Sequence, residues 1–224
     1  MVTHPARTRN DSTEDGLPPG VEEWPSAKLA IYDAALDLFT RDGYAETSVA
    51  DVVARAGLTK GAFYHYFPSK ADLLRACTER ALDFTIPPAR RIAQLDISAT
   101  EAITQIFREV VRNVEVYRRE VNLFLDEWHR GGDRPELLPA YNRREEYEQI
   151  IENIVKRGIK DGEFRPVAPP RIIAFSIFGL ATHPRLWWRP NKPMSAEDLS
   201  SCFASIFLDG LRTDPRPFAA GGAE

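Results

Sequence analysis

One short stretch of this chain decides most of what it can become. Between Ser48 and Ser69 it carries a helix start, a stop, a second start, a break and a third start. Ser48 with Asp51 three residues on is a capping-box pattern, in which hydroxyl and carboxylate each satisfy a backbone N–H that a first turn leaves open. Gly57 ends that helix, because glycine adopts a left-handed backbone without steric cost. Thr59 starts the next helix, Pro68 breaks it, and Ser69 with Asp72 starts another. Apolar residues fall at helical spacing between these signals: Val49, Val52 and Val53, then Ala62, Phe63 and Phe67, then Leu73, Leu74 and Cys77. Upstream, Ser26 is the expected N-cap of a helix whose inner face is Ile31, Ala34, Ala35, Leu38 and Phe39, stopped at Gly43. Three short helices with a tight Ala56-Gly57-Leu58 turn between the second and third make a helix-turn-helix.

The rest of the chain keeps the helical period. The fourth helix is expected to run from Ser69 until Pro87 and Pro88. Ile103, Ile106, Phe107, Val110, Val111, Val114 and Tyr117 mark one amphipathic helix; Val121, Leu123, Phe124, Leu125 and Trp128 mark another, stopped by Gly131 and Gly132. Tyr147, Ile150, Ile151, Ile154 and Val155 lie on a long helix ending near Gly162, followed by helices over 170–188 and 196–211. No strand alternation stands out, so the fold class is all-α. The expected organisation is a flexible arm (1–25), a helix-turn-helix domain (26–84), a larger ligand-binding and dimerisation domain (85–212) and a disordered tail (213–224).

Composition narrows the function classes. Hydrophobic residues make up 43% and charged residues 28%, ordinary for a folded globular chain. The longest apolar run, 172–181, is far short of the about 20 residues a membrane span needs, and 1–20 has no apolar signal core, so a cytoplasmic protein with no membrane partner is expected. Cys77 and Cys202 lie far apart without metal-ligand spacing, and Glu127 and His129 do not share a helix face, so neither disulfide, metal nor cofactor is expected. A nucleophile elbow, phosphate loop, dinucleotide fingerprint and zinc-protease motif are all missing, which argues against an enzyme. The net charge of −4 speaks against a nucleic-acid partner, but only the docking face meets phosphate, and 52–71 holds Arg55, Lys60 and Lys70 with no acidic residue.

In a helix-turn-helix the short third helix enters the major groove by its N-terminal end. Gly61 and Ala62 permit close approach there, Lys60 reaches a base or phosphate, and Tyr64 and His65 offer donors for backbone contacts. The segments LFTRDGY, TSVADVVARAGLTKGAFYHYF and SKADLL together resemble the DNA-binding domain of the TetR family of repressors. The resemblance implies a dimer on double-stranded operator DNA. It assigns Thr47 or Ser48 to a phosphate at the start of the second helix, and Thr59, Lys60, Gly61, Ala62, Tyr64, His65 and Lys70 to DNA-facing positions. Phe63 and Phe67 are then buried, and Tyr66 faces either DNA or the first helix. The competing class is an interaction module that kept the fold without DNA binding.

The same family carries a variable C-terminal domain that binds a small-molecule effector, and its last helices pair with a second subunit. The segment GEFRPVAPPRIIAFSIFGLATHPRLWWRP resembles a subset that often senses acyl-CoA thioesters. It departs from that subset where Thr182-His183 replaces Asn-Trp and where Pro184 follows, a residue expected to kink or interrupt the helix. The candidate pocket residues are Phe124, Trp128, Gly179, His183 and Trp187, with simple core or interface packing as the other reading of the aromatics. An acyl-CoA or another hydrophobic effector fits this set, and His183, Arg185 and Arg189 are candidates for an anionic group.

Overall fold

The cap signals become caps. In this computed structural model, which describes residues 24–129, 134–189 and 193–211, every regular element among the described residues is helical. Helix α1 (Ser26–Arg41) is followed by α2 (Val49–Ala56), α3 (Lys60–Tyr66) and α4 (Lys70–Asp83). Ser48 Oγ accepts the Asp51 N–H at 3.2 Å while Asp51 Oδ2 accepts the Ser48 N–H at 2.8 Å, closing the capping box. Thr59 Oγ1 accepts from Ala62 N at 3.2 Å, and Ser69 Oγ from Asp72 N at 3.1 Å. Gly57 sits at φ 69°, the left-handed value its turn requires. Ser26 differs: it is the first helical residue, Pro25 occupies the cap position, and no side chain caps the helix.

Helices α5 (Ile86–Gln94), α6 (Ala99–Val116), α7 (Arg118–His129), α8 (Leu138–Lys160), α9 (Pro170–Thr182), α10 (Pro184–Trp187) and α11 (Ala196–Leu211) complete the chain, with a 3₁₀ turn at Pro135–Leu137. The expected proline stop after α4 is corrected. That helix ends at Asp83, and Pro87 and Pro88 lie in the first turn of α5, where the missing N–H would be unpaired anyway. Pro184 does interrupt: α9 stops at Thr182 and Pro184 opens the short α10. Residues 1–23, the Gly131-Gly132 stop and the tail from 213 lie outside the described residues. Trp24, within the expected flexible arm, instead packs its ring edge-on against Tyr32 and Phe67 at 5.6 and 6.4 Å.

Two apolar cores form. The smaller gathers the inner faces of α1–α3 with Leu73, Leu74 and Cys77 of α4, Leu123 of α7 and Leu137. The larger joins Ala81 and Leu82 of α4 with Val121, Phe124 and Leu125 of α7 and the inner faces of α5, α6, α8, α9 and α11. Helices α4 and α7 therefore run through both. Ion pairs reinforce the junction: Arg119 on α7 holds Asp33 (2.7 Å) and Asp37 (2.8 Å) on α1, and Arg55 on α2 shares Asp37 at 2.6 Å. Behind them the Tyr32 hydroxyl donates to buried Glu120 at 3.3 Å.

The turn after α8 ties three helices of the larger core. Glu163 accepts the N–H groups of Ala99 and Thr100 at 2.8 and 2.9 Å, satisfying the first turn of α6. The Arg165 N–H donates to Leu211 O at 2.8 Å, anchoring the end of α11. Phe164, 2% exposed, lies against Gly158, where an added Cβ would stand 2.8 Å from Ala99 Cβ and closer still to the Phe164 ring. Gly158 is thus a contact point, and helix propensity and packing oppose each other there. Alanine would gain about 1 kcal/mol in propensity, but the ring is fully enclosed and overpacking costs about 1–3 kcal/mol. Gly158→Ala is expected to lower stability in chemical denaturation, and an unchanged or raised midpoint would contradict this packing.

Candidate DNA interface and effector pocket

The face of α3 that leaves the core is the face the turn presents. Phe63 and Phe67 are buried and Tyr66 is half-buried against the smaller core, which orients the helix about its axis. Opposite them, Thr59, Lys60, Gly61, Tyr64 and His65 are exposed, Tyr64 at 55%, and Ala62 is partly exposed. The Tyr64 ring leans edge-on against Phe63 at 5.2 Å, so its base is fixed and its hydroxyl end is free to reach outward. Ser48 is exposed at the start of α2. The surface so formed is a helix N-terminus with small residues, one exposed ammonium and several neutral donors, which is the chemistry that meets phosphate and base edges.

Two of the expected contacts sit differently. Thr47 is buried, and its hydroxyl donates to Gly43 O at 2.8 Å. Lys70 is not a free cation: its ammonium donates to Tyr44 O at 2.8 Å and Thr47 O at 2.7 Å, with Ala45 O at 3.5 Å, and lies 4.2 Å from the Tyr44 ring centroid. Burial, with the Arg134 guanidinium nearby, pushes its pKa below the ordinary lysine value. Lysine has three N–H donors, and here they gather the carbonyls of the α1–α2 connection. The sequence signal for this role is faint, since a lysine in a first helical turn looks alike whether it faces solvent, phosphate or a loop.

In the larger core a small, partly open apolar cavity of about 40 Å³ is lined by residues that include Leu82 at the end of α4, Thr85 just before α5, Asn113 on α6, Phe124 on α7, Tyr147 on α8 and Thr182 on α9. Asn113 Nδ2 reaches Phe84 O at 3.3 Å, while its buried Oδ1 has no donor. Two open grooves flank the cavity. One of about 340 Å³ is lined by Trp128, His129, Phe175, Gly179 and His183, and one of about 390 Å³ by Trp128, Tyr141, Glu148, Arg171 and Phe175. Four of the five candidate pocket residues thus converge: Phe124 on the cavity, and Trp128, Gly179 and His183 on a groove. Trp187 lines neither space and is half-exposed on α10. Arg185 is paired with Asp126 at 3.0 Å. Arg144, Asn113 and Tyr147 were missed; the available signal was a cation at helical spacing from Tyr147 and Ile151 on the buried stripe of α8.

Among the described residues no helix is long and apolar enough to cross a membrane, and no group of three metal-binding side chains converges. Residues 31–77 match the family of bacterial regulatory proteins called the tetR family, and residues 96–211 match the tetracyclin repressor-like C-terminal domain. The chain is similar to the HTH-type transcriptional repressor KstR2 of Mycolicibacterium smegmatis, 27% identical over 186 residues that span 83% of this chain and 91% of that one. It is also similar to the HTH-type transcriptional regulator RutR of Escherichia coli K12, 27% identical over 159 residues that span 70% and 72% of the two chains. The fold matches the ketosteroid transcriptional regulator KstR2 of Mycobacterium tuberculosis, with a TM-score of 0.77 at 22% identity over 86% of this chain and 98% of that one. It matches AibR in complex with isovaleryl coenzyme A and operator DNA, with a TM-score of 0.71 at 23% identity over 80% and 97%. With one match on the helix-turn-helix and another covering more than half of the chain, this protein is a transcriptional regulator of the TetR family.

Proposed function

We propose that this regulator represses transcription by binding operator DNA as a homodimer, with α3 in the major groove, and lets go when a small apolar or acyl-CoA-like effector enters the larger core. The observation that carries the DNA half is the outward row Thr59, Lys60, Gly61, Tyr64 and His65, held in place by the buried Phe63 and Phe67. Ser48 is the exposed phosphate contact at the start of α2, and Lys70 acts through the loop it gathers. On this reading 26–84 is the reading head, 85–212 receives the effector and the second subunit, and the work is done in the cytoplasm. The isovaleryl coenzyme A bound by AibR supports the effector class. No catalytic role is proposed.

A second copy is supported by the surface of α9, α10 and α11. Ile172, Trp187 and Ile206 are exposed there, Ile206 at 65%, beside the small residues Ser201, Ser205 and Gly210. An apolar row of this kind on a water-facing side favours association, and the small residues allow close helix approach in a four-helix arrangement. Two reading heads also match an operator made of half-sites in successive major grooves.

The cavity holds a few waters at most, so an effector requires a wider state. Its wall includes Ala81 and Leu82 of α4, the helix whose first residue gathers the α1–α2 connection. Widening at one end of α4 therefore tilts the other. A second route runs from Trp128 to Tyr141 (rings 4.9 Å apart), and from Arg134, paired with Glu127, to the Tyr44 ring at 4.7 Å. By linkage the operator weakens effector binding by the factor with which the effector weakens the operator.

A gel shift with the DNA upstream of this protein's own gene is expected to give a specific complex, and no complex at physiological salt would favour the interaction-module reading. Lys60→Met should weaken that complex, leave the melting temperature unchanged and lower the slope of log affinity against log salt by about one. Lys70→Met should lose affinity and also about 1–2 kcal/mol of stability, the worth of hydrogen bonds from a charged donor; a melting temperature equal to wild type would free Lys70 from its loop. For assembly, Ile206→Glu should give a folded monomer in light scattering. Phe207→Glu should unfold the chain instead, because Phe207 packs at 5.8 Å on Phe107. A wild type that is monomeric at micromolar concentration contradicts the homodimer.

A further inference from the structure

Arg144 is a charged side chain in a place that does not satisfy it. It lies on the inner stripe of α8, 11% exposed, in the same wall as Tyr147. Its guanidinium carbon stands 3.7 Å from the centroid of the Trp128 ring and 4.9 Å from that of Phe178, so the cation is boxed by two aromatic faces. Glu148, one turn further along the same helix, places Oε1 2.8 Å from Nε. The buried Nη1 has no hydrogen-bond partner. An arginine does not escape this position by deprotonating, and burial already pulls its pKa below the ordinary value.

Its position gives the unmet donor a meaning. Arg144 lines the small apolar cavity and also both neighbouring, more polar grooves, so it stands where the three spaces meet. Leu125, Phe178 and Thr182 are likewise shared by the cavity and the groove that holds His183. A molecule passing from groove to cavity meets the guanidinium at the entrance. Planar guanidinium groups favour anionic oxygens. Glu148 competes for the cation but engages only the Nε side, and it shares its groove with Arg171, which offers another partner when an anion arrives.

We propose that Arg144 is the anion anchor of the effector site, and that the effector is an apolar body with an anionic head. The body enters the cavity beside Phe124 and Tyr147, and the head pairs with Arg144 at the mouth, drawing the guanidinium off Trp128. This rests on the effector reading above and narrows it, because a neutral apolar molecule of the same size leaves the buried Nη1 unmet. The head comes either from a free carboxylate or from the phosphates of a coenzyme A thioester.

The test uses the full-length protein without DNA, so that failure of operator binding and failure of this proposal remain separate. Decanoate, decanoyl-CoA and the neutral decanol are titrated by calorimetry into wild type, Arg144→Met and Arg144→Lys. Wild type is expected to bind at least one of the anions about tenfold or more tightly than decanol, Arg144→Met to lose that preference, and Arg144→Lys to keep part of it. Tighter binding of decanoate assigns the head to a carboxylate, and tighter binding of decanoyl-CoA assigns it to the thioester's phosphates. The proposal is overturned if folded Arg144→Met keeps the wild-type preference for anion over alcohol. It is overturned equally if wild type binds neither anion at millimolar concentration.

Discussion

Helix α4 buries one end in the small core and the other in the large core, helix α7 lies between the two cores and faces both, and the rest of the structure depends on that sharing. Leu73, Leu74 and Cys77 hold α4 among α1–α3, while Ala81 and Leu82 close the cavity. On α7, Leu123 faces the small core and its neighbours Phe124 and Leu125 face the large one. Packed interiors do not deform continuously, so a change in either core shifts these helices as rods. In the proposed function the helix-turn-helix and the cavity are two ends of one lever, and the Arg119–Asp33–Asp37 cluster fixes where that lever meets α1.

That constraint explains why charged side chains at the junction serve geometry. Lys70 gathers loop carbonyls, Arg55 joins α2 to α1, and Arg134 spans Glu127 and the Tyr44 ring. Each would be an ordinary solvated charge on an isolated helix. Between two cores they fix angles that apolar contacts, being non-directional, leave loose. On the proposed reading the phosphate-facing chemistry falls instead to neutral donors and to Lys60, which accords with the net charge of −4.

The sequence made the local structure legible where a single residue type enforces a single geometry. Ser48, Gly57, Thr59 and Ser69 act within one turn of themselves, and the structure puts each in the expected place. The two proline signals divided. Pro184 breaks a helix, but Pro87 and Pro88 begin one, because proline is excluded from a helix interior and tolerated in its first turn. The buried Phe63 and Phe67 of α3 were readable from period, and its outward face from the family resemblance. Partners distant in sequence were not: nothing near Lys70 announces Tyr44 O, nothing near Gly158 announces Phe164 and Ala99, and Trp187 carries no local sign that it points away from the cavity. Arg144 broke the apolar stripe of α8 in plain view, and its chemistry emerged only once three spaces were found to meet at it.

The lever is tested most directly by the separation of the two reading heads in the proposed dimer. A spin label at Ala54→Cys, exposed on α2, in a chain with the exposed Cys202 replaced by Ser, reports that separation by pulsed dipolar spectroscopy. With operator, the distribution should narrow to one that sets the two α3 helices about 34–36 Å apart, the span of successive major grooves. An apolar anion that releases the operator should move the distribution away from that spacing, and Arg144→Met should abolish the movement. Release of the operator with an unchanged distribution would contradict the account, because the effector would then be acting without the lever.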